Sequence, residues 1–163
     1  MKVLIALQDS DCLDALSGFV LKYPWPPDTT FKVMHVVQPV LVNSYMSLVP
    51  SALTEPITEE RWRAGKKLVR DFALKLKDAW HTPNVEEYVE EGDTRLEIED
   101  QISKWQPDAL VLGSHSKHGL ESLGSVSRGV VSAAPCSVMI VPLCAEREKK
   151  AHDRQRNKLH IIV

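Results

Sequence analysis

The sequence lacks the features of disulfide-rich, zinc-binding and membrane-spanning proteins. It has three cysteines, Cys12, Cys136 and Cys144, and no CxxC spacing. An odd count without that spacing argues against a disulfide framework and a cysteine zinc site. The uncharged stretch 39–54 is interrupted by Pro50 and several serines, and it falls short of the roughly 20 apolar residues that a membrane helix needs. We therefore expect free thiols and no membrane span.

The sequence also lacks a charge excess and a signal-peptide pattern. Its 20 basic and 22 acidic residues give a net charge of -2, so no global field attracts nucleic acid. Acidic residues follow directly after the apolar run 3–7, without a small-residue cleavage site. We expect a cytoplasmic protein with no nucleic-acid partner.

The composition is that of a single globular domain. The chain has 163 residues, of which 44% are hydrophobic and 26% charged, as in ordinary one-core proteins. We predict a folded domain over residues 1–143 and a charged tail over 144–163. The tail is expected to be a solvated extension, with binding to an anionic surface as the alternative. Its last residues, Ile161 to Val163, could instead cover an exposed strand edge.

Five strand-like apolar runs alternate with four helical patterns. The predicted strands are 2–7, 31–37, 85–89, 108–113 and 137–142. The predicted helices are 10–22, 58–80, one that follows Gly92-Asp93-Thr94 and carries Leu96, Ile98 and Ile102, and 125–134. The third strand is the most polar, as at a sheet edge. The stretch 40–57 is predicted to be an apolar connection that covers a cleft or packs on a partner.

This alternation predicts a doubly wound α/β fold, a five-stranded parallel sheet in the order 3-2-1-4-5. In such sheets, ligands bind at the carboxyl ends of the strands where the strand order reverses. The reversal falls between the first and fourth strands. Their following loops, 8–10 and 113–124, are therefore expected to face each other.

The loop after the fourth strand is rich in glycine and hydroxyl side chains. It connects a strand end to a helix N-terminus, an arrangement that suits an anion and usually holds phosphate. No GxxxxGK[ST] or GxGxxG motif is present, so it is neither a P-loop nor a dinucleotide fingerprint. As the alternative, the glycines serve turn geometry, and Ser125 or Ser127 caps the helix.

A set of short motifs extends along the chain. The most specific are Leu112-Gly113-Ser114-His115, Gly119-Leu120, Gly124-Ser125-Val126-Ser127 and the stretch 134–142. Supporting ones are the MKVLIAL start with Ser10, the strand 33–37 and Glu91-Gly92-Asp93. In these motifs the chain resembles the universal stress protein family, through nearly all of residues 1–142.

The resemblance implies a site for an adenine nucleotide, ATP in the first instance, with Mg²⁺ accompanying it. Nucleotide-binding members use a G-x2-G-x9-G-[ST] loop, an acidic residue after the first strand and backbone at the end of the second. Carried over, adenine lies near Val36 and Val37, ribose near Gln8, Asp9 and Gly113, and phosphates at Gly124, Ser125, Val126 and Ser127. The neighbouring Ser10, Ser114, His115 and Ser116 complete the candidate site.

Three features depart from that family pattern. Ser116 replaces the second glycine, the spacing from the first to the third glycine is two residues shorter, and Gln8 replaces the acidic residue. The neighbouring Asp9 could supply the carboxylate. A β-carbon at Ser116 restricts close approach of the backbone, so we expect weaker binding than in members with the complete pattern.

The histidines do not indicate a metal or catalytic centre. His115 and His118 lie three residues apart without a nearby third ligand, whereas zinc sites use three or four. Lys117 and His118 could contact phosphate as cations. His35 is predicted to be a hydrogen-bonded core histidine, and no Ser-His-Asp arrangement is evident. We predict no metal site and no catalytic residue, with at most weak ATP hydrolysis.

The leading hypothesis is a nucleotide-linked factor in stress signalling or stress tolerance. One alternative is a dimeric interaction module of the same fold without a nucleotide, and another is a nucleotide-processing enzyme. The resemblance also implies a homodimer in which the strand from Val138 to Val141 pairs with its copy.

Overall fold

A computed structural model describes residues 1–39, 51–80, 84–114 and 123–142. The strands are β1 (Lys2–Leu7), β2 (Thr30–Val37), β3 (Val85–Glu91), β4 (Ala109–Ser114) and β5 (Ser137–Pro142). The helices are α1 (Leu13–Lys22), α2 (Ser51–Trp80), α3 (Thr94–Trp105) and α4 (Ser125–Ala133), and a short 3₁₀ turn (Ser10–Cys12) precedes α1.

The strands form one parallel sheet in the order β3-β2-β1-β4-β5, which confirms the predicted fold and strand order. β1 is central, between β2 and β4, so the order reverses where expected. Pairing of β1 with β2 ends at Leu7 and His35, while β2 continues beside β3 to Val37 and Glu91. The end of β2 therefore extends beyond the end of β1.

Two apolar layers enclose the sheet. α1 and α2 cover one face, where the fully buried side chains include Leu16, Val20, Val69, Phe72 and Leu76. α3 and α4 cover the other face with Ile98, Ile102 and Val130. Successive side chains of β2 lie on opposite faces of the sheet, so Val33 packs in the first layer and Met34 in the second. Burial on both faces also accounts for the nearly continuous apolar runs of the central strands.

The predicted start of the second helix was wrong. We expected a connection over 40–57 and a helix from residue 58, but α2 begins at Ser51 and contains Pro56. Proline removes one backbone donor from a helix, so Pro56 is unfavourable inside α2. The many contacts between α2 and the sheet, at residues such as Val69 and Phe72, outweigh that single lost bond. The rest of the predicted connection, 40–50, lies outside the described residues.

Smaller differences concern strand ends and helix faces. β3 extends two residues beyond its prediction, to Glu91, and occupies an edge as expected. Leu96, predicted on the apolar stripe of α3, is 62% exposed. In β5, Val141 is buried, and Val138, Met139 and Ile140 are half-buried. An edge strand lacks a second neighbour, which explains its partial exposure.

Within the described ranges, no helix combines the length and apolar character required to cross a membrane.

Candidate functional site

Two clefts open at the carboxyl ends of the central strands, one on each face of the sheet. The α2-side cleft has a volume of about 550 Å³, and the α4-side cleft about 400 Å³. The α2-side cleft is lined by Leu7, Gln8, Asp9, Ser10, His35, Val36, Val37, Gln38, Arg61, Ala64, Gly65, Leu68 and Thr94. The α4-side cleft is lined by Ala6, Leu7, Gln8, Gln38, Thr94, Ile98, Leu112, Gly113, Ser114 and Gly124 to Ser127.

The two clefts meet over the end of β1. They share Leu7, Gln8, Gln38 and Thr94, so one elongated ligand could extend from one face of the sheet to the other. The carboxamide nitrogen of Gln38 donates a hydrogen bond of 3.1 Å to the hydroxyl of Thr94. This bond ties the end of β2 to the N-terminus of α3 at the junction of the clefts. Arg61 Nη1 donates to the backbone carbonyl of Gln38 at 3.1 Å.

The N-terminus of α4 opens into the α4-side cleft. Gly124 is the N-cap residue, and no side chain caps the helix, so the prediction that Ser125 or Ser127 acts as a plain cap was wrong. Ser125 is exposed, and Ser127 is buried. A β-carbon at Gly124 would meet no atom within 4 Å. Backbone N–H groups at a helix start carry a partial positive charge, so this end of the cleft is suited to an anion.

Asp9 has a structural role beside the α2-side cleft. Its carboxylate accepts a hydrogen bond of 3.0 Å from the backbone N–H of Cys12 and caps the 3₁₀ turn. The Cys12 thiol donates to the backbone carbonyl of Asp9 at 2.8 Å. Burial raises the pKa of this thiol, which keeps it protonated and unreactive. The loop after β1 is therefore held in place by Asp9 and Cys12 together.

His35 contacts the α2-side cleft from the middle of β2. Its ring is only partly buried, and Nδ1 lies 3.0 Å from the backbone carbonyl of Leu7. The prediction of a hydrogen-bonded histidine is confirmed, although the ring is not fully in the core. The ring packs against Gly65 of α2, where a β-carbon would lie 2.6 Å from its Cδ2.

The structure divides the predicted site residues between the clefts. Gln8, Asp9, Ser10, Val36 and Val37 line the α2-side cleft. Gln8 again, with Gly113, Ser114, Gly124, Ser125, Val126 and Ser127, lines the α4-side cleft. The end of β4 and the start of α4 therefore line one cleft together with Gln8 from the loop after β1. The rest of the predicted loop, 115–122, lies outside the described residues. His115 and Ser116 lie outside the described residues.

Four polar lining residues were not predicted as site residues: Gln38, Arg61, Thr94 and His35, the last of which was predicted to lie in the core. Thr94 stands directly after the Asp93 cap of α3, where the glycine turn could have drawn attention to it. Arg61 gave no signal, because it is one of several basic residues along α2.

Metal ligation has no support in residues 1–39, 51–80, 84–114 and 123–142, where no group of three or more potential ligands occurs. His115 and His118 fall outside these ranges.

Comparisons with known proteins agree with the fold and its motifs. The model of the universal stress protein family matches residues 1–142. Universal stress protein A homolog 2 of Coxiella burnetii is 26% identical over 115 residues, which cover 70% of this chain and 75% of that relative.

Two solved structures share the fold at low sequence identity. A universal stress protein family member of Arabidopsis thaliana with AMP bound has a TM-score of 0.64 and 22% identity, covering 90% of this chain and 94% of its own. The universal stress protein of Archaeoglobus fulgidus in complex with dAMP has a TM-score of 0.60 and 16% identity, covering 86% and 97%. Since the family model matches residues 1–142 of the 163, the chain belongs to the universal stress protein family.

Proposed function

We propose that this protein binds an adenine nucleotide across the two clefts and serves as a nucleotide-linked factor in the stress response of the cytoplasm. The base occupies the α2-side cleft near Val36 and Val37, the ribose lies at the junction, and the phosphates occupy the α4-side cleft. The observation that carries the proposal is the junction itself, because Gln8 borders both clefts.

The phosphate end is supported by the start of α4. Gly124 has no side chain, and its position is open, so a phosphate can approach the backbone N–H groups of Ser125 to Ser127 closely. The hydroxyls of Ser125 and Ser127 add donors. This donor set suits the phosphates of AMP or ATP, and Mg²⁺ would accompany ATP as its counter-ion.

The proposed position of the base is supported by the end of β2, which extends beyond the end of β1. The N–H of Phe31 and the carbonyl of Val37 bond toward the β3 side. Because alternate residues of a strand direct their amide groups to opposite neighbours, the carbonyl of Val36 is directed toward the β1 side. Pairing with β1 has ended there, so this carbonyl is available to a nucleobase.

The ribose position is supported by the polar groups at the junction. Gln8 is exposed and borders both clefts, and its carboxamide can donate to or accept from a ribose hydroxyl. The carboxylate of Asp9 is engaged with the backbone of Cys12. Because this carboxylate already caps the 3₁₀ turn, we assign Asp9 a secondary part at the ribose.

Binding and signalling, rather than turnover, are the proposed activity. The residues at the junction supply hydrogen-bonding groups, and we assign no catalytic residue among them. We propose a homodimer as the working form, with β5 paired to its copy.

Calorimetric titration with AMP and ATP, the latter with and without Mg²⁺, tests the proposal. We expect saturable binding in the wild type. Gly124→Val should reduce the affinity by at least tenfold, because a branched side chain at the helix start blocks phosphate approach. Among the described residues, a β-carbon at this position has no neighbour within 4 Å beyond the adjacent chain. Thermal unfolding of the variant, compared with the wild type, separates a loss of binding from a loss of folding.

Gly18→Val is the matched control. Gly18 lies in α1, and a β-carbon there also meets nothing within 4 Å, so this variant should titrate like the wild type. An unchanged affinity in Gly124→Val would place the phosphates elsewhere. No binding to the wild type would favour the interaction module without a nucleotide, and steady release of ADP from ATP would favour the enzyme.

A further inference from the structure

The hydrogen bond of His35 fixes which ring nitrogen carries a proton. Nδ1 lies 3.0 Å from the backbone carbonyl oxygen of Leu7. A carbonyl oxygen can only accept, so Nδ1 must be the donor. In the neutral ring, Nε2 then carries the lone pair and is an acceptor.

The second ring nitrogen, Nε2, is at least partly exposed. Within the described ranges, the bond to Leu7 is the one hydrogen bond of His35. Nor does any buried side-chain nitrogen or oxygen atom lack a partner there. Since Nε2 has no partner, it cannot be fully buried. The space beside it is the α2-side cleft, which His35 lines.

Gly65 allows the ring to occupy this position. A β-carbon at Gly65 would lie 2.6 Å from Cδ2 and 3.3 Å from Nε2 of His35. α2 therefore has a gap where the Nε2 edge of the ring lies. Any larger residue at this position would displace the ring or narrow the cleft beside Nε2.

We propose that Nε2 of His35 is the acceptor that selects a nucleobase with an exocyclic amino group. The inference rests on the proposed function and names the selecting residue within it. Adenine carries an amino group at position 6, which can donate to Nε2. Hypoxanthine and guanine carry an oxygen there, and two acceptors facing each other lose the hydrogen bond and leave both groups unsatisfied.

The test compares AMP with IMP, which differ only at position 6 and the adjacent ring nitrogen. Because a hydrogen bond to a buried group typically changes affinity by about tenfold, we expect AMP to bind the wild type about tenfold more tightly than IMP. His35→Asn keeps a nitrogen donor for the Leu7 carbonyl but lacks Nε2. In this variant, the two affinities should become equal within about twofold.

The AMP-to-IMP affinity ratio of the wild type is a readout that does not depend on the variant folding. The phosphate is the same in both ligands and cancels from the ratio. A purely structural histidine would give no preference between the two bases.

The outcomes separate this inference from the proposed function. If the wild type binds neither AMP nor IMP, the proposed function fails. If it binds both with equal affinity, or if His35→Asn keeps the preference for AMP, only the selection by His35 is overturned.

Discussion

Two helical glycines differ in what a methyl group would meet. At Gly18 of α1, a β-carbon would have no neighbour within 4 Å, whereas at Gly65 of α2 it would overlap His35. Alanine is favoured over glycine inside a helix by about 0.5–1 kcal/mol. Gly18→Ala should therefore raise the free energy of unfolding by about that amount.

Gly65→Ala should lower the free energy of unfolding despite the same gain in helix propensity. The ring of His35 is held by its bond to Leu7, so relieving the overlap requires movement of α2 or loss of that bond. Overpacking of this kind costs about 1–3 kcal/mol. Urea unfolding of both variants measures the difference, and equal stabilisation by the two substitutions would show that the ring moves without cost.

At the scale of elements, Asp93 caps α3 and lies between the end of β3 and the junction of the clefts. The carboxylate of Asp93 accepts hydrogen bonds from the backbone N–H groups of Arg95 and Leu96, at 3.0 and 3.1 Å. Thr94, which bonds Gln38, stands directly after it. The cap therefore stabilises the helix and positions a residue that both clefts share.

Replacing this cap should cost a predictable amount of stability. Asp93→Ala should lower the free energy of unfolding by about 1 kcal/mol, because two backbone donors lose their partner. Asp93→Asn keeps a side-chain oxygen and should stay within a few tenths of a kcal/mol of the wild type. Thermal unfolding followed by circular dichroism compares them, and equal losses would mean that the charge of Asp93, not its cap geometry, matters.

The strands were easier to predict from the sequence than the helix faces. Continuous apolar runs such as 3–7 have few alternatives to a strand buried on both sides, so all five strands and their order were predicted. The start of α2 was missed because the stretch 40–57 was assigned to an apolar connection, whereas α2 extends back through Pro56 to Ser51. Leu96 was predicted with the apolar residues of α3 but is exposed. The spacing of apolar residues along a helix does not show where its buried face ends.

At the scale of the whole molecule, the sequence predicted which strand ends border the clefts. It did not predict the side chains that hydrogen-bond across the junction of the clefts. The glycine and hydroxyl pattern indicated the α4-side cleft, since its residues are close in the chain. The bonds of Gln38 to Thr94 and of Arg61 to Gln38 join residues 56 and 23 positions apart. The periodic pattern of apolar residues does not predict hydrogen bonds between residues so far apart in the chain. The role of His35 likewise depends on Gly65, which is distant in sequence.

The outer edge of β5 determines how the whole molecule can assemble. β5 is the final strand of the described sheet, and its Val138, Met139 and Ile140 are half-buried. An apolar edge with unpaired backbone groups favours pairing with another strand. We expect sedimentation equilibrium to show a dimer for the full chain and for a chain ending at Ala145, because a two-fold pairing of β5 needs no residue of the tail. A full chain that is monomeric and dimerises only after truncation would mean that the segment from Ile161 to Val163 protects the edge instead. Two monomeric chains would contradict the pairing of β5 altogether.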